Sequence, residues 1–240
     1  MLIAGFPAGP WGTNCYVAAT SAGSECVVID PGKDAAPGVA EVIREHRLKP
    51  VAVLLTHGHI DHMWSVAPVA GTYDATAWIH PDDRHLLADP LAGISRESAA
   101  MLLGMPEGEY EFAEPDDVRE LADGADLELA GLRLVVDHTP GHTAGSVTFR
   151  TPYDDHADVS EVMFSGDLLF EGSIGRTDLP GGDHPTMLRS LATKVLTLPD
   201  DVAVLPGHGG QTSIGRERAT NPFLLELQDE GIAGRVTRGL

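Results

Sequence analysis

Short apolar runs alternate along the chain with polar stretches that carry Gly and Pro. Residues 14–19, 26–30, 51–55, 75–79, 132–136, 146–149, 162–164 and 202–205 are each short, rich in aliphatic and β-branched side chains and bounded by turn-forming residues, a pattern that predicts β-strands. Residues 36–46, 61–66, 82–87, 185–196 and 221–230 predict helices. Strands and helices alternating in this way predict an α/β protein. Between Asp89 and Gly124 the pattern weakens into segments such as Met101-Leu102-Leu103-Gly104-Met105-Pro106; this region is expected to cover the site, with its Met and Leu side chains weighed as lining of a substrate pocket against the commoner role of core packing, which is the expectation. Tyr153-Asp154-Asp155-His156 reads as a polar hairpin turn.

The run at 51–55 leads directly into Thr56-His57-Gly58-His59-Ile60-Asp61-His62, which packs three imidazoles and a carboxylate into six positions. Neutral imidazole and carboxylate are the usual protein ligands of zinc and similar cations, and here His57 and His59 can turn toward one ion while Asp61 and His62 turn toward another. Three further apolar runs end in a Gly beside one potential ligand: Thr139-Pro140-Gly141-His142, Phe164-Ser165-Gly166-Asp167 and Leu205-Pro206-Gly207-His208. Gly allows the close backbone approach and positive φ that a crowded metal centre requires. A solvated polar loop would have no need of such distant partners.

These segments, with Asn14-Cys15-Tyr16, Ile29-Asp30-Pro31-Gly32 and the stretch from Gly166-Asp167 to Gly175-Arg176-Thr177-Asp178, resemble the metallo-β-lactamase superfamily, and within it the glyoxalase II-like hydrolases of short, single-domain type. The resemblance implies an αββα sandwich, two β-sheets face to face with helices outside and metals held by loops along one edge. It assigns His57, His59 and His142 to a first metal and Asp61, His62 and His208 to a second, with Asp167 bridging. A carboxylate at the bridge, where many metallo-β-lactamases have Cys, favours the thioesterase and dioxygenase branches. The expected cofactors are two divalent metal ions, zinc first, with iron or manganese as alternatives. Such a pair lowers the pKa of a shared water toward neutrality and polarises a carbonyl. Asp61 is expected to orient the attacking oxygen or accept its proton besides serving as ligand. Arg176 matches a Lys that helps bind glutathione in full-length glyoxalase II enzymes, and either meets a substrate carboxylate or pairs with a nearby acid; Asp178 stands where the family has Tyr.

The resemblance makes the expected activity hydrolysis of small-thiol thioesters, S-lactoylglutathione or an analogous conjugate. The alternatives are a mononuclear iron persulfide dioxygenase, a hydrolase of another ester or lactone, and a binding protein on a retired hydrolase fold. His80 and His138 are weighed as neighbours of the metals against the commoner surface or core histidine; His46, His85, His156 and His184 receive no role.

Length and composition narrow the classes. A chain of 240 residues can bury one large core, and no linker-like segment divides it, so a single domain over 1–240 is expected. A formal net charge of −20 argues against nucleic acid as a partner, because a phosphate-binding surface must supply Lys and Arg. No basic-then-apolar leader opens the chain and no apolar run approaches the roughly 18 residues of a membrane span, so a cytoplasmic protein acting on a small molecule is expected. Cys15 and Cys26 are expected to be buried free thiols.

Overall fold

The computed structural model describes residues 1–104 and 112–229. The first half of the chain builds one six-stranded sheet from β1 (Leu2–Ala8), β2 (Thr13–Ala19), β3 (Glu25–Ile29), β4 (Lys49–Leu54), β5 (Thr76–Ile79) and β6 (Val118–Glu120), arranged in that order. The second half builds the other from β7 (Asp126–Leu129), β8 (Leu132–His138), β9 (Val147–Pro152) and β10 (Glu161–Gly166); after a small hairpin of β11 (Leu169–Phe170) and β12 (Ser173–Ile174), the chain adds β13 (Ala203–Pro206) and β14 (Thr212–Ser213). Its spatial order is β14-β13-β10-β9-β8-β7. Strands β3 to β6 run parallel, as do β10 and β13, so their carboxyl ends share one edge of each sheet.

The period-2 alternation of each strand sorts its side chains into layers. Tyr16, Ala18, Val27, Ile29, Ala52 and Leu54 face Leu134, Val136, Phe149, Val162, Phe164 and Leu205 between the sheets. On the opposite face of the first sheet, Cys15, Val17, Cys26, Val28 and Val53 pack against Val39 of α1 (Ala35–His46), Met63 of α2 (Ile60–Met63) and Val66 and Val69 of α3 (Val66–Tyr73). Beyond the helix α4 (Arg96–Leu103), the second sheet is covered on its outer face by α5 (His184–Ser190), α6 (Ile214–Thr220) and α7 (Pro222–Asp229), whose Met187, Ile214, Leu224 and Leu227 meet Met163 and Val204. The result is the αββα sandwich expected. Phe149 and Phe164 anchor its centre, each fully buried, and truncating either to Ala costs about 3–5 kcal/mol by analogy with other buried aromatics.

Several elements differ from expectation. The helix expected at 61–66 is one turn, α2, followed by a separate α3 that carries Pro68 and Gly71. The helix expected at 185–196 is α5 continued by a π-turn at Leu191–Val195. Strands β1, β6, β7, β11, β12 and β14 and helices α4 and α6 were not anticipated. Met101 is not core: it sits on the solvent face of α4 with 77% of its surface exposed, while Leu102 beside it is buried. Met105 and Pro106, and residue 230 of the last expected helix, lie outside the described residues. The turn expected at Tyr153 to His156 does join β9 to β10. Cys15 and Cys26 are free and buried, and burial pushes the Cys26 thiol up to about 12 and the Cys15 thiol well above its ordinary value, which leaves both unreactive. Among the described residues no helix is long and apolar enough to cross a membrane.

Candidate metal centre

All seven expected ligands come together at the shared strand edge. His57 and His59 follow β4, Asp61 and His62 lie on α2, His142 follows β8, Asp167 follows β10 and His208 follows β13. Ligand atoms of His57, His59 and His142 form one compact group, those of Asp61, His62 and His208 a second, and Asp167 joins His57 and His62 in a third. Within the first group, His59 Nδ1 and His142 Nε2 are 2.8 Å apart. In the second, Asp61 Oδ2 lies 3.1 Å from His208 Nε2 and 3.6 Å from His62 Nε2. Asp167 stands between the groups, its carboxylate 3.2 Å from His62 Nε2, 3.5 Å from His142 Nε2 and 3.7 Å from His208 Nε2.

The rings are aimed from behind by hydrogen bonds that fix their tautomers. His142 Nδ1 donates to the Arg176 carbonyl at 2.7 Å, His62 Nδ1 donates to Asp30 Oδ2 at 2.9 Å, and His57 Nδ1 donates to Thr56 Oγ1 at 3.1 Å, a hydroxyl whose own proton goes to Asp30. Each of these bonds leaves the ring's Nε2 lone pair facing the cluster. Thr13 Oγ1 donates to Asp61 Oδ2 at 3.1 Å, and Asn14 and Tyr16 hold the Pro206 carbonyl at 3.0 and 2.8 Å, which seats the His208 loop. Asp30 and Thr13 escaped sequence reasoning as positioning groups. Asp30 precedes Pro31-Gly32 and reads as a turn former; only the fold sets its carboxylate beneath Thr56 and His62.

Metal ions fit this arrangement. His57 Nε2, His62 Nε2 and Asp167 Oδ1 are buried without a hydrogen-bond partner, whereas buried polar atoms are normally satisfied. The charges agree. Burial first, and then the neighbouring histidines, hold His57 far below the ordinary imidazole range; burial and His142 hold His59 down to about 3. Burial opposes ionisation of Asp61 and Asp167 as well, yet the His62 charge together with His208 keeps both carboxyls below their usual range. Conversely, Asp167, Asp61 and Asp30 lift His62 above its ordinary value against burial, and the hydrogen bond that His208 donates to Asp61 does the same for His208. The cluster is an anionic pocket that demands positive charge, from protons or from metal.

Close packing completes the centre. A Cβ at Gly207 would stand 2.3 Å from Asp167 Oδ1 and 2.6 Å from His62 Cε1, so only Gly lets the β13 loop pass.

Two side-chain groups lie beside the seven. His80 and His138 stack at 3.9 Å with 12° between their planes, and with Asp82 they form a separate group of potential ligand atoms apart from the seven. His138 donates to the Ala144 carbonyl at 2.9 Å. The Arg176 guanidinium is exposed and paired with Asp178, Nε to Oδ1 at 2.6 Å and Nη2 to Oδ2 at 2.8 Å.

Comparison with known proteins gives a consistent picture. The profile of the metallo-beta-lactamase superfamily matches residues 8–208. The hydroxyacylglutathione hydrolase GloC of Haemophilus influenzae is 34% identical over 82% of this chain and 86% of its own length. Among solved structures, the BLEG-1 B3 metallo-beta-lactamase is 39% identical, with a TM-score of 0.77 over 93% of this chain and 99% of that one. TTHA1623, solved in a di-iron-bound form, is 36% identical, with a TM-score of 0.71 over 93% of this chain and 100% of that one.

Proposed function

The chain belongs to the metallo-beta-lactamase superfamily, and from that membership we propose that it is a dinuclear metal-dependent hydrolase of thioesters formed by small thiols. One observation carries the reading: Asp167 lies between two complete ligand groups, close to His142 of one and to His62 and His208 of the other. His57, His59 and His142 would hold the first ion and Asp61, His62 and His208 the second, with Asp167 shared. Divalent ions held there supply Lewis acidity, which lowers the pKa of water toward neutrality and stabilises negative charge on a carbonyl oxygen.

The chain's own groups account for the rest. Asp61 has a depressed pKa and is a weak base, so its role is to orient the attacking water through a carboxylate already fixed by Thr13 and His208. A thioester needs no dedicated acid, since a thiol of pKa about 8.5 departs readily as thiolate. The GloC similarity supports a hydroxyacyl thioester. Arg176 would meet a carboxylate on the carrier thiol by exchanging Asp178 for it, a swap that its exposure permits.

The BLEG-1 similarity supports a second reading, a cyclic amide as substrate at the same centre. Both readings are tested by counting metals per chain in protein purified without added metal or chelator, then assaying matched thioester, ester, lactone and β-lactam panels. Two ions per chain with thioester turnover at least about 100-fold above β-lactam turnover is the expected result. A single iron per chain would overturn the dinuclear reading and favour oxygen chemistry on a persulfide.

A further inference from the structure

A second buried carboxylate lies behind the first ligand group. Asp83 belongs to the 3₁₀ turn Pro81–Leu87 after β5 and is 1% exposed. Its Oδ2 accepts the Gly58 N–H at 2.8 Å and the Thr143 hydroxyl at 2.7 Å, and its Oδ1 accepts the Gly145 N–H at 2.8 Å. Gly58 sits between His57 and His59; Thr143 and Gly145 follow His142. Every residue of the first group therefore lies within two positions of an Asp83 contact, and Asp61, His62 and His208 do not. The approach is close: a Cβ at Gly145 would stand 2.6 Å from Asp83 Cγ. The two loops that Asp83 joins come from different sheets, β4 of the first and β8 of the second.

The geometry points to Asp83 as a positioning residue specific to the first metal, holding the His57-His59 loop and the His142 loop at the separation that ion requires. The assignment rests on the dinuclear reading above. Asp83 accepts no hydrogen bond from a ligand side chain; it acts on the ion through the Gly58 and Gly145 backbone and the Thr143 hydroxyl, whereas Asp30 acts directly on His62 of the second group. The three donors engage both carboxylate oxygens, which an amide cannot reproduce: Asn would set an N–H against either the Gly145 N–H or the Gly58 N–H.

The test is titration of metal-free protein with Zn²⁺ against a chromophoric chelator, for the wild type, Asp83→Asn, Thr143→Val and His142→Ala. Asp83→Asn is expected to weaken one of two binding events by about 10–100-fold and leave the other unchanged, and Thr143→Val to weaken the same event less. The weakened event must be the one that His142→Ala abolishes, so that Asp83→Asn adds little in the His142→Ala background. Two unchanged events, or equal weakening of both in a folded variant, would overturn the role of Asp83. Should Asp83→Asn fail to fold, Thr143→Val decides with Ser146→Ala as its control, because it removes one of the three Asp83 bonds together with the Ser146 Oγ contact at 2.7 Å, and Ser146→Ala removes that contact without touching Asp83; equal weakening by the two variants would overturn the role of Asp83. A wild type that takes up fewer than two ions overturns the dinuclear reading instead, a result separable from the behaviour of the variants.

Discussion

Asp30 and His62 face each other at 2.9 Å, Oδ2 to Nδ1, in a part of the molecule where both side chains are almost wholly removed from solvent. The same carboxylate accepts the Thr56 N–H at 2.8 Å and the Thr56 hydroxyl at 2.6 Å. One acid thus aims His62 directly and His57 through Thr56.

Asp30→Ala would strand three buried donors at once. The variant is expected to lose about 2–4 kcal/mol of stability in the metal-free state and to bind the second ion more weakly than the wild type. Urea unfolding of the apoprotein with a parallel metal titration measures both; a loss below about 1 kcal/mol would contradict the positioning role.

Asp167→Ala removes the group that lies between both sets of ligands. Turnover should fall at least about 100-fold, with metal content per chain reduced. Near-normal turnover at full metal content would rule out a bridging position.

The raised pKa of His62 sets the direction of a pH effect. In the metal-free protein, its folded value lies above 6.5 because Asp167, Asp61 and Asp30 outweigh burial. The stability this proton contributes is complete below about 6.5 and is lost as pH rises through the folded value. A divalent ion occupying the same position must expel the proton, so metal affinity should increase with pH across that window and binding should release protons. Calorimetry at about pH 6 and about pH 8, in buffers of different ionisation enthalpy, checks this; affinity that is flat with pH and proton-neutral uptake would count against it.

Gly207→Ala forces a methyl between Asp167 and His62 and is expected to lower metal content and reduce activity at least about 10-fold. Gly71→Ala is the control. Gly71 lies exposed in α3 with open space around it, so Ala there should be neutral or stabilising by up to about 1 kcal/mol in thermal unfolding.

Arg176 serves the centre twice, and the two roles are separable. Its carbonyl holds His142, while its guanidinium pairs with Asp178. Arg176→Ala keeps the carbonyl, so metal content should be retained while KM for an anionic thioester rises several-fold with little change in kcat. Loss of metal in that variant would mean that the side chain supports the fold of the loop.

Much of this centre was legible before folding, because its ligands follow continuous apolar strands and stand beside Gly. The elements missed have physical causes. β1 carries Gly5 and Pro7, which break a strand pattern, yet it lies at a sheet edge where the missing N–H of Pro7 is tolerated. α3 contains Pro68, which reads as a helix breaker, but Pro68 falls in the first turn after Ser65, where no N–H is needed. β7 alternates Asp126, Leu127, Glu128 and Leu129 and is half exposed, so its hydrophobic signal is weak, and pairing with β8 defines it. Asp30 and Asp83 were beyond reach for another reason: a lone acid declares its purpose only through the donors that the fold brings to it.

The division of the chain between its two sheets has a mechanical meaning. His57, His59, Asp61 and His62 come from the half that builds the first sheet, and His142, Asp167 and His208 from the half that builds the second. A metal bound here would be a clasp between halves that are consecutive in sequence, closing a seam more than eighty residues long between His59 and His142. Its removal should therefore be felt first as slippage of one sheet against the other along the ligand edge, with hydrogen exchange quickening in the β4, β8 and β13 loops while the strand centres stay protected.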